Sequence, residues 1–100
     1  MIDKIPKVVS LLSYGEENAK TARELVALLG YKNDYYVRKE ISQLRIGGYW
    51  YILSSDKGFF LMSTDAEYER YIRHMRGRAR KITKIIEVAE QGRQRMKKGA

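Results

Sequence analysis

Cysteine is absent from the chain, and histidine and proline occur once each, at His74 and Pro6. Without cysteine there is neither a disulfide nor a thiolate metal site, which suits a cytoplasmic protein. His74 has no cysteine or second histidine beside it, and one imidazole cannot make a zinc site. No run approaches the ~20 apolar residues needed to cross a bilayer, and no basic-then-apolar leader opens the sequence. A phosphate-cradling glycine loop and a nucleophile elbow are also missing. Glu16-Glu17 and Glu67/Glu69 stand in loop and cap settings, where solvent or the helix dipole suffices to explain them. These absences lead to the expectation of no catalytic residue, no metal or cofactor, no small-molecule ligand, and a protein that is not an enzyme.

Negative charge is the scarcer sign: 12 Asp+Glu face 20 Lys+Arg, a net charge of +8. Such an excess favours a polyanionic partner, whether DNA, RNA or an acidic membrane face. It is unevenly spread. Residues 1–64 carry nine basic and seven acidic side chains, and residues 65–100 carry eleven and five. At 100 residues, 44% of them hydrophobic, the chain is long enough for one small self-sufficient core.

Ile2, Ile5, Val8, Val9 and Leu12 recur at helical spacing and predict a first helix near residues 3 to 13, its regular part starting by Pro6. Glu16 to Lys20 is a polar connection whose last residues can add a short third strand beside a hairpin. Thr21 with Glu24 is a capping box that opens a second helix. Its apolar face is Ala22, Leu25, Val26 and Leu29, and Gly30 stops it. Asn33 or Asp34 caps a third helix, spanning 33–47. There Val37, Ile41 and Leu44 share one face, so Tyr35, Lys39, Ser42 and Ile46 take the other, with Arg38 and Arg45 on the flank. After Gly47-Gly48, Tyr49 to Ser54 reads as a strand, Ser55 to Gly58 as a turn, and Phe59 to Met62 as the returning strand.

The run TARELVALLGYKNDYYVRKEISQLRIGGYWYILSSDKGFFLM, from Thr21 to Met62, resembles the winged helix-turn-helix domains that open biotin-operon repressors and related small bacterial regulators. The likeness is carried by Leu29-Gly30, then Val37, Ile41 and Leu44 in register, then Gly47, then Gly58-Phe59-Phe60-Leu61. A free-standing domain with a basic helical tail is also similar to small phage and prophage DNA-binding proteins. The resemblance implies an α+β fold of three helices plus a β-hairpin wing. Tyr35-Tyr36 departs from the small or basic residues usual at the start of the reading helix, and without a biotin-ligase or sugar-sensing domain among these 100 residues the resemblance implies no effector binding.

A major groove ~12 Å wide admits one α-helix, whose N-terminal side chains meet base edges. By position the candidates are Asn33, Tyr35, Arg38, Lys39 and Ser42, with Arg38 suited to bidentate contact with guanine. Lys57 at the hairpin tip is placed to meet phosphate or a minor groove. Lys20 and Arg23 at the start of the second helix, and Lys32 in the turn, are the phosphate candidates. The competing explanation for all of them is an ordinary solvated surface with local i,i+4 pairing, such as Arg38 with Ser42. Tyr49-Trp50-Tyr51 is either a base-stacking platform or core packing, and strand alternation favours the core.

Thr64 with Glu67 is a second capping box. After it Tyr68, Ile72, Met75, Ala79, Ile82, Ile86, Ala89, Arg93 and Met96 step by four and three, a heptad-type seam. A helix from Asp65 to about Met96 would be nearly 50 Å long. It either bends back at Gly77 onto the first helix, or its far half pairs with another chain through Ile72, Met75, Ala79, Ile82, Ile86 and Ala89. Arg70, Arg73, Arg76, Arg78, Arg80, Lys81 and Lys84 make it densely basic, and Lys97 to Ala100 are expected to fray.

The expected organisation is residues 1–63 as a winged helix-turn-helix domain and 64–100 as a basic dimerisation helix. The expected function is a homodimeric, nucleoid-associated protein that binds double-stranded DNA and regulates transcription, or a phage-type relative. The alternative is a winged-helix protein-interaction adaptor or replication-associated scaffold, for which the near-neutral charge of residues 1–64 and the Tyr35-Tyr36 pair argue.

Overall fold

A computed structural model describes residues 5–99 and gives an α+β architecture. The order is α1 (Lys7–Leu11), a 3-10 turn (Glu16–Asn18), α2 (Ala22–Leu29), α3 (Asp34–Ile46), β1 (Ile52–Ser55), β2 (Gly58–Leu61) and α4 (Asp65–Gly99). The first helix is shorter than its apolar pattern predicts. Pro6 precedes its first residue, Leu12 is already extended, and Ile5 is exposed. Ile2 lies outside the described residues.

The capping box on α2 forms as predicted. Thr21 Oγ1 accepts the Glu24 N–H, the Glu24 carboxylate accepts the Thr21 N–H, each at 3.1 Å, and Gly30 ends the helix in the left-handed region. These local bonds leave Ala22 and Leu25 facing inward, where they meet Val8, Val9 and Leu12 of the α1 segment and Val37 and Ile41 of α3. Leu44, the third residue of the α3 face, is half-buried at the edge of this core.

β1 and β2 pair antiparallel, Ile52 with Leu61 through Ser55 with Gly58, around the two-residue tip Asp56-Lys57. The first strand begins at Ile52 rather than Tyr49. The Ile52 N–H bonds back to the Tyr49 carbonyl and the Tyr49 N–H to Leu44, so residues 49–51 are spent turning the chain out of α3. The other edge of β2 is also paired. Phe59 exchanges both backbone bonds with Lys20, and Leu61 bonds to Ser13 and Gly15. The third-strand contribution expected of Lys20 is therefore a bridge at Phe59, with a second bridge between Tyr14 and Leu61.

Alternation along the hairpin buries both of its faces. Ile52, Phe59 and Leu61 point into the helical core, while Leu53 and Phe60 form a second cluster with Tyr71 of α4, flanked by Tyr68 and Ile72. The first two turns of α4 are thus part of the body. Beyond them the helix neither breaks at Gly77 nor returns, and it continues through Lys97 and Lys98 to Gly99; Ala100, in the stretch expected to fray, lies outside the described residues. Thirty-five residues at ~1.5 Å each span about 52 Å. That projection accounts for a radius of gyration of 17.9 Å, where a compact 100-residue chain has about 13 Å. No helix among the described residues is long and apolar enough to cross a membrane.

Candidate nucleic-acid interface

The outward side of α3 follows from its inward side. Val37 and Ile41 are fully buried, and at about 100° per residue the positions diametrically opposite must face solvent. Tyr35, Lys39, Ser42 and Ile46 are all exposed, and Ile46 is 89% exposed. Asn33 caps the helix by accepting the Tyr35 N–H at 3.0 Å, which commits its side-chain oxygen to the backbone. Tyr35 and Tyr36 stack edge to face, with ring centroids 5.3 Å apart.

The polar residues of α3 divide between two surfaces. Arg38 and Ser42 line a groove of about 1020 Å³ bounded by α3, the hairpin, and the α4 residues Arg70, His74 and Arg78. Lys39 turns the other way, toward a shallow depression shared with Lys32, Tyr36 and Gln43. Arg38 does not pair with Ser42. It makes an i,i+4 ion pair with Asp34 at 3.6 Å, both partners well exposed, and its guanidinium lies 5.8 Å from the Phe59 ring. Such an exposed pair is worth ~0–1 kcal/mol and leaves the arginine available. Lys57 is exposed at the hairpin tip, and Arg23 is exposed in the first turn of α2. Lys20 is half-buried, its backbone held by Phe59.

Arg45 serves a purpose its flank position did not reveal. Its Nε donates to the Ile52 carbonyl at 2.8 Å and an Nη to Ser54 Oγ at 3.2 Å, while its guanidinium lies 5.1 Å from the Tyr71 ring. Burial lowers its pKa from the ordinary arginine value. This one side chain ties α3 to β1 and α4, a role that depends on partners 7, 9 and 26 positions along the sequence. In the α2–α3 turn the Tyr31 hydroxyl donates to the Glu40 carboxylate, and that bond raises the tyrosine pKa.

The aromatic run after α3 splits. Tyr49 and Tyr51 pack at the margin of the main core although the segment is a turn and not a strand, while Trp50, against the expected core packing, is 57% exposed with its ring set edge-on to Tyr51 and Tyr68. Of the seam residues on α4, Ile72 is half-buried against the chain's own second cluster, whereas Met75, Ala79, Ile82, Ile86 and Ala89 are exposed. No family model, curated protein or solved structure matches the chain.

Proposed function

We propose that the chain binds duplex DNA as a winged helix-turn-helix protein, with α3 entering the major groove and the hairpin serving as the wing. The observation that carries this reading is the orientation of α3. Its apolar face is sealed into the core, and Tyr35, Lys39 and Ser42 stand outward, with Lys39 on one side of the helix and Ser42 and Arg38 on the other, along the groove. Lys57 at the tip and Lys32 in the turn flank that face and suit phosphate contact, while Arg38 keeps its capacity for a bidentate bond to guanine. In this reading α4 joins two copies, so that two such helices address a two-fold site, in the manner of a transcriptional regulator or a phage-type DNA-binding protein.

Binding to duplex DNA titrated with salt tests this directly. The expected slope of log K against log salt is about −0.9 per phosphate neutralised. Arg38→Ala should relax base preference by ~1–3 kcal/mol at one position, whereas Lys57→Ala should weaken all sequences alike.

A second reading is favoured by one observation: the outward face of α3 also exposes Ile46, Tyr35 and Tyr36, an aromatic and aliphatic surface of the kind found in protein interfaces. A protein-interaction adaptor of this kind would show a flat salt response with DNA.

A further inference from the structure

The projecting half of α4 carries an apolar stripe with nothing of its own chain to cover it. Ile82, Ile85 and Ile86 are each half or more exposed, and so is Met96. We propose that two copies of the chain pair α4 against α4 in antiparallel register, about a two-fold axis near Lys84. This rests on the reading of α4 as the joining element and specifies how the join is made.

The stripe reads almost the same in both directions about that point. Reversing the chain around Lys84 sets Ile82 against Ile86 of the partner subunit, Ala79 against Ala89 of the partner subunit, and Met75 against Arg93 of the partner subunit. Large meets large and small meets small, as layered helix packing requires. A parallel pair would instead stack Arg93 on the partner's Arg93 inside the seam.

Charge decides in the same direction. One flank of the seam is the row Glu69, Arg76, Thr83, Glu90 and Lys97, spaced every seven residues. In an antiparallel pair this row faces its own reversed copy. Glu69 then meets Lys97 of the partner subunit, Arg76 meets Glu90 of the partner subunit, and symmetry repeats both. All four are exposed, and none takes part in an ion pair among the described residues. The opposite flank brings Ile85 onto the partner's Ile85 at the axis, which accounts for that exposed isoleucine. In a parallel pair the row faces Tyr71, Arg78, Ile85 and Gly92 instead, and no opposite charges meet. Val88 lies outside the seam, and the pairing does not explain it.

The arrangement also has a consequence for the bodies. Arg45 stacks on Tyr71, so the end of α3 travels with that residue. Symmetry about Lys84 separates the two Tyr71 positions by about 39 Å along the pair, comparable with one turn of duplex, ~34–36 Å. Met75, Ala79 and Ile82 form the α4 wall of the groove whose α3 side carries Arg38 and Ser42, so the partner helix runs along that groove and shares it with those two side chains. Lys39 remains on the far side of α3.

The chain's lack of cysteine allows a single spin label at Gln94→Cys, on the outer side of the helix. Light scattering is expected to give twice the 11.7 kDa chain mass. Pulsed electron resonance should then give a label separation of about 37 Å, from ~30 Å along the pair and ~22 Å across two helices. A dimer with labels no more than about 25 Å apart, two helix diameters with no axial offset, is parallel, which overturns the register while leaving α4 as the joining element. A monomer at all concentrations overturns both. Arg76→Glu should weaken the dimer about fivefold, and adding Glu90→Arg should restore it; no rescue would refute the antiparallel contact. DNA binding is measured separately, so its failure with an antiparallel dimer would leave this proposal standing.

Discussion

The Glu67 carboxylate accepts the backbone N–H of Glu16 at 2.8 Å, although 51 residues separate the two. Its other oxygen accepts the N–H groups of Ser63 and Thr64 and the Ser63 hydroxyl, at 2.8 to 3.2 Å. The Glu67 N–H is capped in return by Thr64 Oγ1. A residue placed by sequence as half of a capping box thus also pins the start of α4 to the loop that edges β2.

Burial opposes the charged form of Glu67, but the backbone donors of Ser63, Glu16 and Thr64 and the Ser63 hydroxyl outweigh it and hold the pKa below the ordinary 4.5. A lowered pKa means the folded state favours the carboxylate. The contribution is therefore complete above pH 4.5 and disappears as the pH falls through the folded value. Chemical denaturation at pH 7 should find Glu67→Gln less stable by roughly 1–3 kcal/mol. The gap between variant and parent should close on acidification below pH 4.5. A constant gap across that range would show that the charge does not matter.

Gly58 opens β2 at φ 125°, where a Cβ would stand 2.6 Å from the Lys20 carbonyl carbon and 2.9 Å from the Thr21 nitrogen. Both the backbone angle and the close approach exclude a side chain. Gly58→Ala is expected to cost about 2–4 kcal/mol. Amide exchange should localise the damage to the Lys20–Phe59 bridge. Gly30→Ala, with open space around its Cβ, should show only the conformational part.

Arg38 and Arg45 lie seven residues apart on one helix, yet their substitutions should separate. Arg45→Ala removes two hydrogen bonds and the stacking on Tyr71, and should lower stability by about 1.5–3 kcal/mol. Arg38→Ala removes an exposed ion pair and should change stability by less than about 1 kcal/mol. Thermal melts of the two variants decide this without reference to any ligand.

Leu53 is fully buried and Phe60 is 2% exposed, and Tyr71 of α4 completes their cluster. A chain ended at residue 63 would uncover both, and each is worth about 1.5–3 kcal/mol when fully buried. Such a chain should be unfolded or aggregated, whereas one ended at Arg80 should melt cooperatively. A well-folded 1–63 fragment would mean the second cluster contributes little.

The local elements were legible because their signals are local. Thr21 with Glu24, Thr64 with Glu67, Gly30 after an apolar face, and Val37 with Ile41 all act within one or two turns of chain. Residues 49–51 misread as strand because aromatic content indicates burial, while the Tyr49–Ile52 turn bond is a matter of path. In the candidate site, the exposure of Tyr35, Lys39 and Ser42 followed from helical periodicity alone.

By itself, then, the amino-acid sequence determined which helices form around the hairpin and in what order, though not the ends of α1 or the start of β1, and which side of α3 is sealed, since those depend on spacing and on caps a few residues away. Only the tertiary structure decided that both hairpin faces are covered, that Arg45 and Glu67 are ties between distant segments, and that α4 projects unbent past Gly77. Those outcomes turn on which surfaces meet in space, and a buried polar group reveals its purpose only when its partner, tens of residues away, has been brought within hydrogen-bonding reach.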